Sequence, residues 1–271
     1  MRTPIHARDL DLSKITYKIP RDLPNGGSVI YINVDDGPIT LQTPKMFCPF
    51  GLKDWKGNHS YTLDVSFKGM ETDSKMKQFY DKITELDEKI LTDGVSNGTL
   101  WLKKTIKNKE VASIIYTKQI RYARDKNGNT DERFPPTFKL KVPSKENYFI
   151  PDVYNTSKEQ IDLNDVETKG ATVIAIIQCT GIWTAGGKYG LAWKVMQMIV
   201  DPPSGKKFAF VDLDEEAPAA PAAAGPAAAA KAKKPIVDAK PKEKQPYKNK
   251  FELNNSDLEE SDWSCGVWVV A

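Results

Sequence analysis

The stretch from Ala171 to Val200 leaves this chain few ways to fold. Ala171 to Ala185 is a long apolar run, Gly186-Gly187-Lys188 turns the chain, and Tyr189 to Val200 runs back until Asp201-Pro202-Pro203 ends it. Two such runs joined by a glycine pair predict a β-hairpin, because the short turns that match strand twist need positive φ. The chain before it also reads mainly as β. Ser28 to Val34 and Ile39 to Leu41 are short β-rich runs around the turn Asp35-Asp36-Gly37-Pro38. Tyr61 to Phe67 alternates Tyr, Leu, Val and Phe with Thr, Asp and Ser, as a half-buried strand does. Val111 to Ile120 and Thr137 to Val142 are further predicted strands, the latter with Lys139 and Lys141 opposite Phe138, Leu140 and Val142.

One segment follows a different period. Met76, Phe79, Tyr80, Ile83, Leu86 and Ile90 recur at spacings of three and four. With Thr72 or Asp73 as N-cap and Asp93-Gly94 as the stop, they predict one amphipathic helix of about five turns. Many short strands, a central helix and a closing hairpin point to a small Greek-key barrel of OB type. Periodicity alone does not separate that from a jelly roll or an open sandwich.

Composition divides the chain. Beyond Asp214-Glu215-Glu216 it becomes rich in Ala, Pro and Lys, and prolines at 218, 221, 226, 235, 241 and 246 interrupt any helix. The expected organisation is a folded domain over 1–214, a flexible linker over 215–250 and an acidic-aromatic tail over 251–271. Residues 217–250 carry a charge balance of +6 and residues 251–271 one of −5. Such blocks mark interaction segments.

Enzyme signatures are sparse. Three scattered cysteines (Cys48, Cys179, Cys265) and two histidines (His6, His59) supply no recognisable metal or nucleophile site. Gly186-Gly187-Lys188-Tyr189-Gly190 lacks the spacing of a phosphate loop and reads as a turn. Asp35-Asp36 likewise reads as a turn rather than a metal site. No cofactor, no metal and no catalysis are expected. The polar start, Met1 to Leu10, and the lack of a long apolar run predict a soluble intracellular protein without membrane contact.

The positive signal lies between Trp101 and Lys126. Lys103, Lys104, Lys107, Lys109, Lys118, Arg121 and Arg124 are interleaved there with Tyr116 and Tyr122. Single-stranded DNA needs that pairing, since cations track phosphates while aromatic faces stack on unpaired bases. The hairpin adds Trp183, Lys188, Tyr189 and Lys194. Trp183 and Tyr189 flank the turn and are the candidates for stacking, whereas Trp193 shares a strand face with Leu191 and Val195 and reads as core. Phe47, Lys53, Trp55 and Lys56 form a similar aromatic-basic loop.

Ile176-Ile177-Gln178-Cys179-Thr180-Gly181-Ile182-Trp183, with Gly187 to Gln197 (GKYGLAWKVMQ), resembles the closing hairpin of the single-stranded DNA-binding proteins of nucleocytoplasmic large DNA viruses. Those proteins are similar in turn to the single-stranded DNA-binding protein of short-tailed phages. The resemblance implies an OB fold and sequence-independent binding of single strands in viral DNA replication, recombination or repair. It places the protein in the host-cell nucleus or at a cytoplasmic viral replication site. It also implies a tail, here Asp257, Glu259, Glu260, Asp262, Trp263 and Trp268, that competes for the DNA groove and recruits partners such as a polymerase or helicase. The tail departs from the family pattern in holding only five acids and in continuing past Trp268 with Val269-Val270-Ala271. A homodimer is compatible with the sequence. The alternative is a β-sandwich virion or scaffold protein, which has no need of the basic-aromatic interleaving.

A carboxylate cluster on a tether of this length meets the body at an effective concentration of order mM. Truncation after Lys250 is therefore expected to tighten single-strand binding several-fold at low salt, with the gain fading as salt screens the tail. Fluorescence anisotropy measures this. Unchanged affinity with a lowered melting temperature would instead make residues 251–271 a packing element.

Overall fold

The predicted hairpin is the longest strand pair in the computed structural model, which describes residues 3–24, 26–54, 57, 59–146 and 148–203. The expected linker and tail lie outside the described residues, as do Trp55 and Lys56. Five strands form the body: β1 (Met46–Phe47), β2 (Tyr61–Ser66), β3 (Thr137–Val142), β4 (Thr172–Ala185) and β5 (Lys188–Asp201). Gly186 and Gly187 both have positive φ, so the β4–β5 turn has the twist that a two-residue hairpin needs.

These strands close on themselves. β1 pairs β2, β2 pairs β3, β3 meets β5 in parallel, β5 pairs β4, and β4 returns to β1. The order 1-2-3-5-4-1 is a Greek-key barrel of OB type, and its closure sets aside the open sandwich and jelly roll. The first barrel strand is interrupted. Thr40–Gln42 and Met46–Phe47 both pair β4, separated by Thr43-Pro44-Lys45. Proline has no N–H for the ladder, and Thr43 bridges the break by accepting from Ala175 N through its hydroxyl at 2.9 Å and donating its own N–H to Ala175 O at 2.8 Å.

Alternation sorts side chains across the wall. Leu63, Val65, Phe138, Leu140, Val142, Val173, Ile177, Trp193 and Val195 point inward and are buried. Trp193 is core, as its strand pattern predicts. In β2 the expected half-burial does not hold. Thr62, Asp64 and Ser66 on the outer face are buried too, Asp64 beneath the Lys53 ammonium at 3.0 Å.

Helix α1 spans Ser74–Leu102, with Asp73 capping it by accepting from the N–H groups of Lys75 and Met76. It runs 29 residues and passes the expected stop at Asp93-Gly94. Gly94 serves a close approach there instead of a cap, since a Cβ would sit 2.3 Å from the Tyr189 hydroxyl. Asp93 accepts a hydrogen bond from the Tyr17 hydroxyl and pairs with Lys89. The apolar stripe joins the barrel core through Phe79, which meets Phe67 and Phe138 at ring separations of 6.1 and 5.8 Å.

The strand predicted from Val111 begins instead as a helix. Lys109–Ile115 forms helix α2, because Asn108 caps it by accepting from Val111 N at 3.0 Å and Glu110 sits in its first turn. Only Tyr116–Thr117 and Ile120–Arg121 of that run are extended. Asp35 and Asp36 form a tight turn with positive φ, joining Ile32–Val34 to Gly37–Pro38. Cys48 and Cys179 are free, buried thiols.

A buried polar chain ties α1 to the barrel. Asp87 accepts from the Tyr116 hydroxyl, from Gln119 N at 3.1 Å and from Gln119 Nε2 at 2.9 Å, while Gln119 Oε1 accepts from the Trp193 indole. Burial raises the Asp87 carboxyl above its usual range, and those hydrogen bonds only partly oppose it. Asp87→Ala leaves three donors unpaired and is expected to cost about 3 kcal/mol by chemical denaturation. The folded state favours the protonated acid, so this contribution to stability is fully present below the ordinary carboxylate range. It is lost as pH rises through the raised value. Asp87→Asn should remove that slope, and an unchanged profile would show that Asp87 does not titrate there.

Candidate nucleic-acid interface

The registers of the barrel assemble a row of cations on its outer wall. Directly opposed residues on paired strands share a face. Lys53, on the short strand Leu52–Asp54, opposes Thr62; Thr62 opposes Lys141; Lys141 opposes Lys194; and Lys194 opposes Gln178. The next rung sets Asp64 against Lys139. A third runs Phe47, Ser66, Thr137 and Arg121. Lys53, Arg121, Lys139, Lys141 and Lys194 thus surround Asp64 on one face, although they span 142 sequence positions from first to last.

That clustering has an electrostatic cost. Burial first, then Arg121 and Lys53, hold the Lys139 ammonium below the usual lysine range, against the pull of Asp64. Lys194 is likewise lowered by burial and by Lys141 beside it. Aromatic rings flank the row. Phe50 is 52% exposed with the Lys53 ammonium 4.0 Å from its ring centroid, and Phe47 lies 5.3 Å from that of Lys68.

The sequence-predicted residues divide among several places. Arg121 and Lys194 join the row. Lys103, Lys104 and Lys188 gather at the other end of the wall, by the β4–β5 turn. There Asp22, Ser28, Thr184 and the glycine pair line a cleft of about 390 Å³ with Lys103 and Lys104. Lys103 reaches Asp22 at 3.6 Å. Trp183 is half-buried in that hairpin, where its Cζ2 would lie 3.0 Å from a Cβ on Gly190.

Tyr189 is a correction. It is 0% exposed, packed against Tyr116 at 5.0 Å and Trp101 at 6.3 Å, and its hydroxyl faces α1 at Gly94. A ring so placed has no face for a base. The other predicted residues stand apart from the row. Lys109 pairs with Glu88 on α1 at 2.6 Å, and Lys107 is exposed just before α2. Arg124 donates to Gly128 O at 2.7 Å, and exposed Lys118 stands near Asp87 and Tyr122. Tyr122 is 48% exposed, with its hydroxyl bonded to that of Tyr80.

Local sequence signals do not single out Lys139, Lys141 or Phe50 as site residues. The alternation of Thr137 to Val142 does place both lysines on one face. Register supplies what is missing, because no local signal aligns Lys53 and Lys194 with them.

The chain belongs to a family of unknown function (DUF5871), whose model matches residues 62–212. None of the curated proteins compared with it matches its sequence. Among solved structures it is similar to the C-terminally truncated single-stranded DNA-binding protein of bacteriophage Enc34. That likeness has 14% identity and a TM-score of 0.40, over 71% of this chain and 97% of that one. The Enc34 protein in complex with single-stranded DNA is similar at 12% identity and TM-score 0.40, over 69% and 96% of the two chains. The bacteriophage T7 single-stranded DNA-binding protein gp2.5 is similar at 10% identity and TM-score 0.40, over 64% and 97%.

Lys194→Met removes a half-buried ammonium from beside Lys141. The variant is expected to gain about 0.5–1 kcal/mol in chemical denaturation at low salt. A loss of stability would show that the ammonium serves the fold instead of burdening it.

Proposed function

We propose that this protein binds single-stranded DNA, without catalysing a reaction, along the outer wall of β2, β3 and β5. The observation that carries this reading is the row Lys53–Lys141–Lys194 with Lys139 and Arg121 beside it. Crowded, partly desolvated cations are costly to hold together, and a polyanion relieves that cost. In OB barrels the face of the second and third strands is where oligonucleotides lie. The exposed ring of Phe50 and the adjoining Phe47 offer platforms for unpaired bases, which a duplex keeps stacked inside.

The finer reading rests on the sequence resemblance. It makes the protein a sequence-independent single-strand binder in viral DNA replication, recombination or repair. Its acidic tail would then compete for the same wall and recruit a polymerase or helicase. The cleft at the β4–β5 turn, lined by Lys103 and Lys104 with Lys188 next after its glycine pair, extends the path for the phosphates. Among the described residues no helix is long and apolar enough to cross a membrane.

Neutralising about five phosphates predicts that log K for an oligo-dT strand falls with log[salt] at a slope of roughly −3.5. Lys141→Gln should flatten that slope by about 0.7. Affinity should also fall as pH rises toward the lysine range, earlier than unperturbed lysines dictate, because the depressed ammoniums lose their protons first. A salt-independent affinity, or equal binding of duplex and single strand, would remove the wall as the site.

A further inference from the structure

Beyond the end of β2 and β3, one position past the rung of Lys53, Thr62 and Lys141, lies a separate pocket of about 250 Å³. Its lining is His59, Tyr61, Ser144, Glu146, Tyr148, Phe149 and Asn164. Tyr61 and Phe149 meet edge to face at 4.8 Å, and His59 is tilted against Tyr61 at 6.3 Å. Tyr148 is 53% exposed at the rim. The volume suits one small planar group and falls below that of drug-sized sites.

The chemistry of the lining is opposite to that of the wall. Among the described residues that line the pocket there is no Lys or Arg, so this lining favours a neutral group over a phosphate. Glu146 accepts hydrogen bonds only, and the Asn164 amide both donates and accepts. The pocket is also held in shape. The Ser144 hydroxyl donates to His59 O at 3.0 Å, and Ser144 and Lys145 pair with Phe149 and Tyr148 in a tight hairpin. His59 and Glu146 both adopt left-handed backbone, at φ 54° and 55°. At Glu146 that conformation is the one a tight hairpin turn requires.

We infer that this pocket takes one unstacked base of a strand bound along the wall, and that it prefers guanine. This rests on the single-strand-binding reading above. Aromatic walls stack a base while polar groups read its Watson–Crick edge. Guanine places two donors, N1–H and N2–H, side by side on that edge, the arrangement that a carboxylate receives as a two-point contact. Thymine offers a single donor between two carbonyls, which the Glu146 carboxylate repels. The strand is then gripped without regard to sequence by the cations and sampled for one base at the pocket.

The test uses the full chain with short dT oligonucleotides in which a single dG is moved through every position, read by anisotropy. A dG in one frame should tighten binding about fivefold to tenfold. Glu146→Gln should erase that gain, weakening the dG strand and tightening the all-dT strand as the repulsion of thymine is lost. Tyr148→Ala, at an exposed position, should weaken the dG strand about fivefold to tenfold by loss of a stacked base. If all-dT binds with the expected salt slope but dG tightens nothing in any frame, the pocket inference falls and the wall stands. If all-dT does not bind, both fall.

Discussion

The barrel closes through a parallel contact between β3 and β5 that sets Lys141 against Lys194. Without it the strands form an open sheet whose edges are unpaired, and with it two ammonium groups stand side by side on the outer wall. Closure and charge crowding are thus one event. The inward neighbours enforce it. Val142 and Leu140 fill the interior on one strand, Trp193 and Val195 on the other. Strand alternation leaves the lysines no direction but outward.

Register makes this arrangement firm. A slip of one residue in β5 would turn Lys194 inward and Trp193 outward. The Trp193 indole prevents it by donating to Gln119, whose amide is held by Asp87 of α1. A helix on one side of the core therefore fixes the charge pattern on the wall. Gly94 contributes in the same way, by leaving room for the Tyr189 ring at the start of β5. Raised Asp87 and depressed Lys139 and Lys194 are the two costs of this design, one inside and one outside the barrel.

Features set by neighbouring residues were legible in the sequence. The Asp73 cap, the strand Thr137 to Val142, the Gly-Gly hairpin and the core role of Trp193 all follow from local spacing. The misreadings arise where a distant residue decides. Gly94 reads as a helix stop until Tyr189, far along the chain, needs the space. Tyr189 reads as exposed beside a turn until α1 covers it. Val111 to Ile115 is a local exception: its β-branched residues suit a strand, yet the capping side chain of Asn108, three residues before Val111, starts a helix. The cation row joins Lys53, Lys139, Lys141 and Lys194 only through pairing across four strands, so a search for local basic clusters finds the 101–126 segment instead. Of that segment, Arg121 alone reaches the row.

The central claim is that the wall of β2, β3 and β5 contacts the strand. Photo-crosslinking of a halogenated-uracil oligonucleotide to the full chain, followed by peptide mapping, tests it most directly. Adducts are expected on the peptides carrying Phe47 and Phe50 and on those flanking Lys139, Lys141 and Lys194. Adducts confined to α2 and the Arg124–Asp131 loop, with the wall unlabelled, would contradict it.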